Sequence, residues 1–188
     1  MTDSVLLTGI SGFIAKRIAL DLLQGGYRVT GTQRSPKREA EVRSALAANG
    51  LDAAALDRLG FVHLDLEQDA GWIEAMAGID AVVHTASPFP IAQPKDETVL
   101  IRPAVEGTLR VLKAAQAAGV RRVVLTSSME AVMHGQGGTL TEANWSDLTS
   151  PTATAYTKSK TLAERAAWDF VARYPEMQLT TINPGLVL

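Results

Sequence analysis

Short apolar runs alternate with amphipathic stretches along the whole chain of 188 residues, and this alternation limits the folds that the chain can adopt. Runs such as residues 5–7 and 81–84 are almost continuously apolar, which is typical of strands buried on both faces of a parallel sheet. The stretches between these runs have the periodicity of helices. Alternation of this kind predicts a doubly wound α/β fold, in which right-handed crossovers place helices on both faces of a parallel sheet.

The alternation can be followed element by element. We predict strands at residues 5–7, 27–32, 61–64, 81–84, 122–126 and 179–182, and helices at residues 13–24, 37–48, 71–76, 96–118 and 152–174. Residues 127–151 are predicted to form one long polar loop, and loops of that length are usually functional or disordered. Ligands of doubly wound folds bind at the carboxyl ends of the strands. The polar residues just after the predicted strand ends are Thr8, Asp65, Thr85, Ser128 and Asn183.

Composition argues against several classes of protein. The formal net charge is -2 and both signs are spread along the chain, which argues against nucleic acid as a partner. No apolar run approaches the roughly 20 residues that a membrane-spanning helix needs, and the N-terminus lacks the basic start of a signal peptide. The chain has no cysteine, which fits a reducing compartment, and its three histidines lack the spacing of metal ligands. We therefore expect a cytoplasmic protein without a metal site, as a monomer or homodimer.

A glycine turn follows the first predicted strand. Gly9 can make a tight turn, and Gly12 lets the backbone approach a pyrophosphate at the start of the next helix. Ala15 takes the third small position of the dinucleotide-binding pattern. The alternative is a plain tight turn, but its place after strand one of an alternating chain favours dinucleotide binding.

The residues after the second predicted strand indicate which dinucleotide is bound. A site for NAD(H) usually has an acid about 20 residues beyond the glycines, to bind the ribose 2′-hydroxyl, and no acid lies between Tyr27 and Pro36. Arg34 lies just beyond strand two instead, with Lys37 close behind, and such cations suit a 2′-phosphate. We therefore favour NADP(H), with NAD(H) possible and a solvated basic loop as the alternative. Asp65 follows strand three, where it either meets the adenine edge or caps a helix.

Tyr156 and Lys160 are four residues apart on a predicted helix and so share one face. A nearby ammonium stabilises a phenolate and makes the phenol a better acid. With the hydroxyl of Ser128, the pair is suited to polarising or protonating a carbonyl. The alternative is that both residues lie on the surface of an amphipathic helix, and Ser127 competes with Ser128 for the third position. Glu130 and Glu142 have no evident partner and are predicted to be solvated.

Seven motifs in order, from Leu6 to Val187, resemble the extended short-chain dehydrogenase/reductase superfamily of NAD-dependent epimerases and dehydratases, and within it the dihydroflavonol 4-reductase-like branch. The matching motifs are Thr8-Gly9-x-x-Gly12-Phe13-Ile14, Asp65-Leu66, His84-Thr85-Ala86-Ser87-Pro88, Pro103-Ala104-Val105-x-Gly107-Thr108, Thr126-Ser127-Ser128, Tyr156-x-x-x-Lys160 and Asn183-Pro184-Gly185. The resemblance implies an NAD(P)-binding Rossmann domain over residues 1–188. It also implies an NADP(H)-dependent oxidoreductase that reduces a small ketone or aldehyde by hydride transfer.

The resemblance implies a role for each matched position. Tyr156 would donate a proton to the substrate oxygen, Lys160 would bind the nicotinamide ribose and lower the pKa of Tyr156, and Ser128 would hydrogen-bond the substrate oxygen. Arg34 would contact the 2′-phosphate. The residues expected to contact the cofactor are Thr8, Gly9, Ser11, Gly12, Phe13, Ile14, Arg34, Lys37, Asp65, Leu66, Thr85, Ala86, Ser87, Ser127, Tyr156, Lys160, Pro184, Gly185 and Val187.

Two departures from the family pattern leave alternatives open. Many extended members have an asparagine where this chain has Ala104, and its loss argues against the second hypothesis, an NAD-dependent nucleotide-sugar epimerase or dehydratase. The family also continues beyond the position of Leu188, so we expect most of the substrate-binding region to be absent. A third hypothesis is therefore a nucleotide-binding module or fragment without turnover. Residues 86–95 and 127–151, with whatever follows Leu188, would select the substrate.

Overall fold

Six strands form one parallel sheet in the computed structural model, which describes residues 3–89 and 94–187. The strands are β1 Ser4–Thr8, β2 Arg28–Gln33, β3 Leu59–His63, β4 Ala81–His84, β5 Arg122–Thr126 and β6 Gln178–Ile182. Their order across the sheet is β3-β2-β1-β4-β5-β6, and every neighbouring pair is parallel. This topology confirms the predicted doubly wound Rossmann fold.

The helices follow the predicted alternation with shifted boundaries. They are α1 Phe13–Gln24, α2 Glu39–Ala48, α3 Ala53–Leu56, α4 Trp72–Ala75, α5 Thr98–Ala117 and α6 Ala155–Val171, with 3₁₀ turns at Pro36–Arg38 and Met129–Ala131. The short helix α3 was not predicted. It forms because Asp52 caps it, with Oδ1 accepting a hydrogen bond from the Ala55 amide at 2.7 Å. The second 3₁₀ turn interrupts the predicted polar loop of residues 127–151.

Helices cover both faces of the sheet, and adjacent residues of β1 show how. Leu6 and Leu7 are both fully buried, but they point to opposite faces because side chains alternate along a strand. Leu6 belongs to the core that α5 and α6 close, with Val111 and Phe170 among its members. Leu7 belongs to the other core, which α1 and α2 close. The two cores confirm the predicted layers.

The sheet reverses its strand order between β1 and β4. From β1 the chain proceeds outward through β2 to β3, and from β4 it proceeds in the opposite direction through β5 to β6. The segments that leave the carboxyl ends of β1 and β4 therefore diverge, and a crevice forms between them.

Two further findings bear on function. None of the helices in the described part of the chain has the length and apolar character required to cross a bilayer. Within residues 3–89 and 94–187, no group of three or more histidine or acidic side chains is placed to hold a metal ion.

Gly31 on β2 provides a test of how tightly the glycine turn packs on the sheet. A Cβ atom at Gly31 would lie 2.3 Å from Cδ1 and 2.8 Å from Cβ of the buried Ile10. Gly31→Ala should therefore lower the free energy of unfolding by about 1–3 kcal/mol in a urea titration. Gly60→Ala on the neighbouring strand is the control, because the nearest atom there is 4.0 Å away. Equal stability of the two variants would contradict this packing.

Candidate active site

The candidate site lies at the carboxyl ends of the strands, on the side of the crevice that β4, β5, α5 and α6 form. It contains a small cavity that is partly open to solvent. The residues that line this cavity are Ala86, Ser87, Thr108, Leu125, Thr126, Ser127, Lys160, Ala163 and Glu164. Four of the predicted site residues therefore lie around one cavity, although up to 74 positions separate them in the sequence.

The glycine turn lies beside this crevice and is closely packed. Gly9 has a φ of 67°, in the left-handed region that favours glycine, and a Cβ there would lie 3.0 Å from Cβ of Ala86. The Gly12 amide donates to the Gly9 carbonyl at 2.9 Å, and Gly12 begins α1 without a side-chain cap. Because the first turn of α1 also lacks acidic residues, its free amides can receive an anion. This cradle fits the pyrophosphate of a dinucleotide.

A buried hydrogen-bond network connects the ends of β1 and β4. The Thr8 hydroxyl accepts hydrogen bonds from the amides of Thr85 and Ala86, both at 3.0 Å. Its own proton is therefore left to donate to Nδ1 of His84, 2.7 Å away. Burial, and then the charge of Lys160, lower the pKa of His84 to about 3. The ring is thus neutral, with its proton on Nε2. The Thr8 hydroxyl holds residues 85 and 86 at the edge of the crevice.

Helix α6 presents Tyr156 and Lys160 to the crevice. Thr154 caps this helix, its hydroxyl accepting from the Thr157 amide at 3.1 Å, so that the helix begins one residue before Tyr156. Nζ of Lys160 lies 5.7 Å from the centre of the Tyr156 ring. Burial lowers the pKa of Lys160 to about 8, against the opposing effect of the Glu164 carboxylate. Because Lys160 is only 8% exposed, the predicted pair is partly enclosed and is not a surface pair.

The pKa of Tyr156 shifts in the direction opposite to the expected one. Burial raises it above 10.0, the Ser128 side chain lowers it by hydrogen bonding, and the charge of Glu130 raises it again. The spacing of Tyr156 and Lys160 predicted a lowered pKa for Tyr156. Burial has the largest effect on the Tyr156 pKa, so the phenol keeps its proton at neutral pH.

The two serines after β5 have different surroundings. The Ser128 hydroxyl accepts a hydrogen bond from the Glu130 amide at 3.2 Å. The Ser128 side chain also lies close enough to Tyr156 to lower its pKa. The Ser127 hydroxyl is buried, lines the cavity beside Lys160 and has no hydrogen-bond partner among the described residues. Ser128 is therefore the serine placed to work with Tyr156, while Ser127 offers a free hydroxyl to a ligand in the cavity.

The residues after β2 form the other end of the crevice. Arg34 and Lys37 are both exposed, as a phosphate-binding role requires. Gln33 donates to a carboxylate oxygen of Glu39 at 3.1 Å, and that oxygen is 3.0 Å from Nε2 of His63. An acid therefore lies close to the end of β2 after all. The sequence did not reveal Glu39 because this residue lies beyond Pro36. The start of α2 places its carboxylate beside Gln33, at the end of β2.

For the other residues predicted to contact the cofactor, the structure shows local contacts within the fold. Asp65 accepts from the Glu67 amide at 3.0 Å, which makes a local turn, and Leu66 packs against Gly107 of α5. Phe13 is 70% exposed. Of the remaining predicted positions, Ser11 and Ile14 belong to the glycine turn and the start of α1, and Pro184, Gly185 and Val187 follow β6. The Pro184 carbonyl accepts from the Met129 amide at 2.9 Å, which ties this segment to the loop after β5.

Three residues near the site were not identified from the sequence. Glu130 was expected to be solvated, and this was wrong, since its Oε2 accepts from the Thr157 hydroxyl at 2.6 Å. Phe89 contacts Tyr156 edge to face, with ring centres 5.4 Å apart. Glu164 lies four residues after Lys160, a spacing that the sequence did offer as a signal. Residues 90–93, which continue the predicted substrate loop from Phe89, lie outside the described residues.

Comparison with known proteins gives consistent matches. The profile of the NAD dependent epimerase/dehydratase family matches residues 5–188. Anthocyanidin reductase ((2S)-flavan-3-ol-forming) of Vitis vinifera is 38% identical over 191 residues, which cover 96% of this chain and 55% of that protein. Dihydroflavonol 4-reductase of Zea mays is 34% identical over 193 residues, which cover 98% of this chain and 53% of that protein.

A solved structure matches over nearly the whole chain. Yeast methylglyoxal/isovaleraldehyde reductase, crystallised with NADPH, has a TM-score of 0.82 and is 30% identical. The match covers 97% of this chain and 57% of the yeast chain. The chain thus spans about half the length of the curated relatives it matches.

The neutral state of His84 should appear in the pH dependence of stability. The unfolded chain takes up a proton on His84 near pH 6.5, whereas the folded chain resists protonation until about pH 3. The free energy of unfolding that His84 contributes is therefore present above pH 6.5 and is lost as the pH falls through this window. His84→Asn should flatten the decline of this free energy in urea titrations between those two pH values.

Thr8→Val separates the hydrogen bond from the protonation. It removes the hydroxyl that donates to His84 but keeps the titrating ring. It should lower the free energy of unfolding while the decline with falling pH remains. A decline as steep in His84→Asn as in the unmodified chain would refute the assignment of a neutral, buried ring.

Proposed function

Since this chain belongs to the NAD dependent epimerase/dehydratase family, and within it to the dihydroflavonol 4-reductase-like branch, we propose that it carries the cofactor-binding half of an NADP(H)-dependent carbonyl reductase. The reaction reduces a ketone or aldehyde to an alcohol. The observation that carries the proposal is the arrangement of Tyr156, Lys160 and Ser128 around one crevice beside the glycine turn.

The chain's own residues suit the cofactor in two places. Gly9 and Gly12 leave room for the pyrophosphate, which the free amides at the start of α1 would bind. Arg34 and Lys37 would pair with the 2′-phosphate at the other end of the crevice. The NADPH bound to the similar yeast reductase supports this choice of cofactor. When bound, the nicotinamide supplies the hydride for the reduction.

The proton of the reaction comes from Tyr156. Its raised pKa keeps the phenol protonated at neutral pH, so the group is ready to donate. The Tyr156 and Ser128 hydroxyls would both hydrogen-bond the substrate oxygen, which orients the carbonyl and stabilises the negative charge that develops there. Once Tyr156 has given up its proton, the nearby Lys160 ammonium stabilises the phenolate. Lys160 would also bind the ribose hydroxyls and so position the cofactor.

Two exposed apolar side chains lie near the candidate site, one beside Tyr156 and one beside the segment after β6. Phe89 contacts the tyrosine ring edge to face and is 76% exposed. Met129 is also partly exposed and lies close to Gly185, where an added Cβ would come within 3.1 Å of its sulfur. These surroundings support an aldehyde or ketone with an apolar substituent, because the exposed rings and thioether can bury it.

Replacing Tyr156 tests the proton step. In the full-length enzyme that carries this chain, Tyr156→Phe should lower kcat for NADPH-dependent carbonyl reduction by about 10²–10⁴-fold, since it removes the proton donor. NADPH affinity should change far less than kcat, because only one hydroxyl is removed. Tyr174→Phe is the matched control, because Tyr174 packs against Phe170 away from the crevice. Turnover of Tyr156→Phe close to that of the control would rule out the proposed role.

Replacing Arg34 tests the choice of cofactor. Arg34→Ala should weaken NADPH binding about tenfold or more, because a hydrogen bond to a charged group contributes roughly 1.5–3 kcal/mol. NADH binding should be unchanged, since NADH lacks the 2′-phosphate. Arg38→Ala in the same loop is the control, as its guanidinium pairs with Glu41 at 3.0 Å. Nicotinamide fluorescence measures both affinities, and equal weakening of NADPH and NADH by Arg34→Ala would count against phosphate recognition.

A further inference from the structure

Glu164 is a buried carboxylate at the candidate site to which the proposed reaction gives no role. It is 3% exposed and lies one helical turn beyond Lys160 on α6. It lines the same cavity as Lys160 and Ser127. A carboxylate withdrawn from water in this way is unfavourable unless other groups compensate its charge.

Hydrogen bonds from two elements hold the Glu164 carboxylate in place. Oε2 accepts from Nδ2 of Asn183 at 2.8 Å, and Oε1 accepts from the Trp168 indole at 3.4 Å. The Asn183 amide also donates to the Ser128 carbonyl at 3.0 Å. Glu164 is therefore fixed where α6, the end of β6 and the loop after β5 meet.

Lys160 needs a compensating charge of this kind. Its titratable neighbours on α6 are Tyr156 and Glu164, and from the end of β4 it faces His84, which is neutral. Glu130, on the turn after β5, raises the pKa of Tyr156 instead. Helix α5 contributes only the uncharged Thr108 to the cavity lining. Among the described residues, Glu164 is the carboxylate whose charge stabilises the ammonium of Lys160.

We propose that Glu164 is a positioning residue, whose fixed carboxylate keeps the buried Lys160 ammonium charged and directed at the cofactor ribose. The role in cofactor binding rests on the proposed function, but the electrostatic pairing does not. Burial already lowers the pKa of Lys160 to about 8. Without Glu164, the pKa of Lys160 would fall further, because the opposing charge is removed.

The titration of Lys160 tests the pairing directly. In ¹³C-lysine NMR of the chain without cofactor, Lys160 should titrate near pH 8, and its signal is assigned by its loss in Lys160→Arg. Glu164→Gln keeps the size of the side chain and one accepting oxygen, so the 2.8 Å hydrogen bond from Asn183 can persist while the 3.4 Å contact with Trp168 is lost. It should lower the midpoint by about one pH unit or more. Glu164→Asp, which restores a carboxylate, should move the midpoint back upward.

Asp169→Asn is the matched control, because it removes a carboxylate from an exposed position of the same helix. Its Lys160 midpoint should equal that of the unmodified chain. Thermal unfolding establishes that each variant is folded. An unchanged Lys160 midpoint in folded Glu164→Gln would overturn the pairing, and so would an equal shift in Asp169→Asn.

Cofactor affinity separates this proposal from the proposed function. NADPH binding should weaken as the pH rises through the Lys160 midpoint, and in Glu164→Gln this weakening should begin at lower pH. An identical pH profile in both proteins, despite a shifted Lys160 midpoint, would overturn the role of Glu164 in positioning Lys160 for the cofactor. Absence of NADPH binding at every pH in the unmodified chain would instead refute the proposed function, and the NMR titration would still decide the pairing.

Discussion

The hydrogen bond between Thr8 and His84 joins the two central strands, β1 and β4, at the point where the strand order of the sheet reverses. The same Thr8 hydroxyl accepts the amides of Thr85 and Ala86, so one buried group sets the start of both diverging segments. Ala86 in turn lies against Gly9, where no Cβ fits without displacement. The cradle of the glycine turn and the floor of the crevice thus depend on one contact between residues 76 positions apart.

Burial governs the electrostatics of the candidate site. It keeps His84 neutral, keeps Tyr156 protonated, and lowers the pKa of Lys160 to about 8. Each shift follows from the same cause, the cost of holding a charge away from water. Glu164 acts against that cost at Lys160. The site therefore combines a protonated phenol with a nearby cation, the two groups that the proposed reaction would use.

Much of the fold was predictable because it is encoded locally. Apolar runs gave every strand to within two residues, and the glycine turn marked the start of α1. The short helix α3 was missed because it depends on a single Asp52 cap in a segment without clear periodicity. Glu39 was not identified, and Glu130 was predicted wrongly, for a different reason. Their partners, His63 and Thr157, lie 24 and 27 residues away, beyond the reach of any local pattern.

The sequence by itself determined the alternating architecture, the order of the motifs and the shared helical face of Tyr156 and Lys160. These depend on backbone periodicity and turn chemistry, which act over a few residues. Only the tertiary structure decided which way the Tyr156 pKa moves, which serine lies by Tyr156, and how Asn183 fixes Glu164 beside Lys160. Those outcomes depend on burial and on contacts between distant segments, and both arise only when the sheet and its helices pack together.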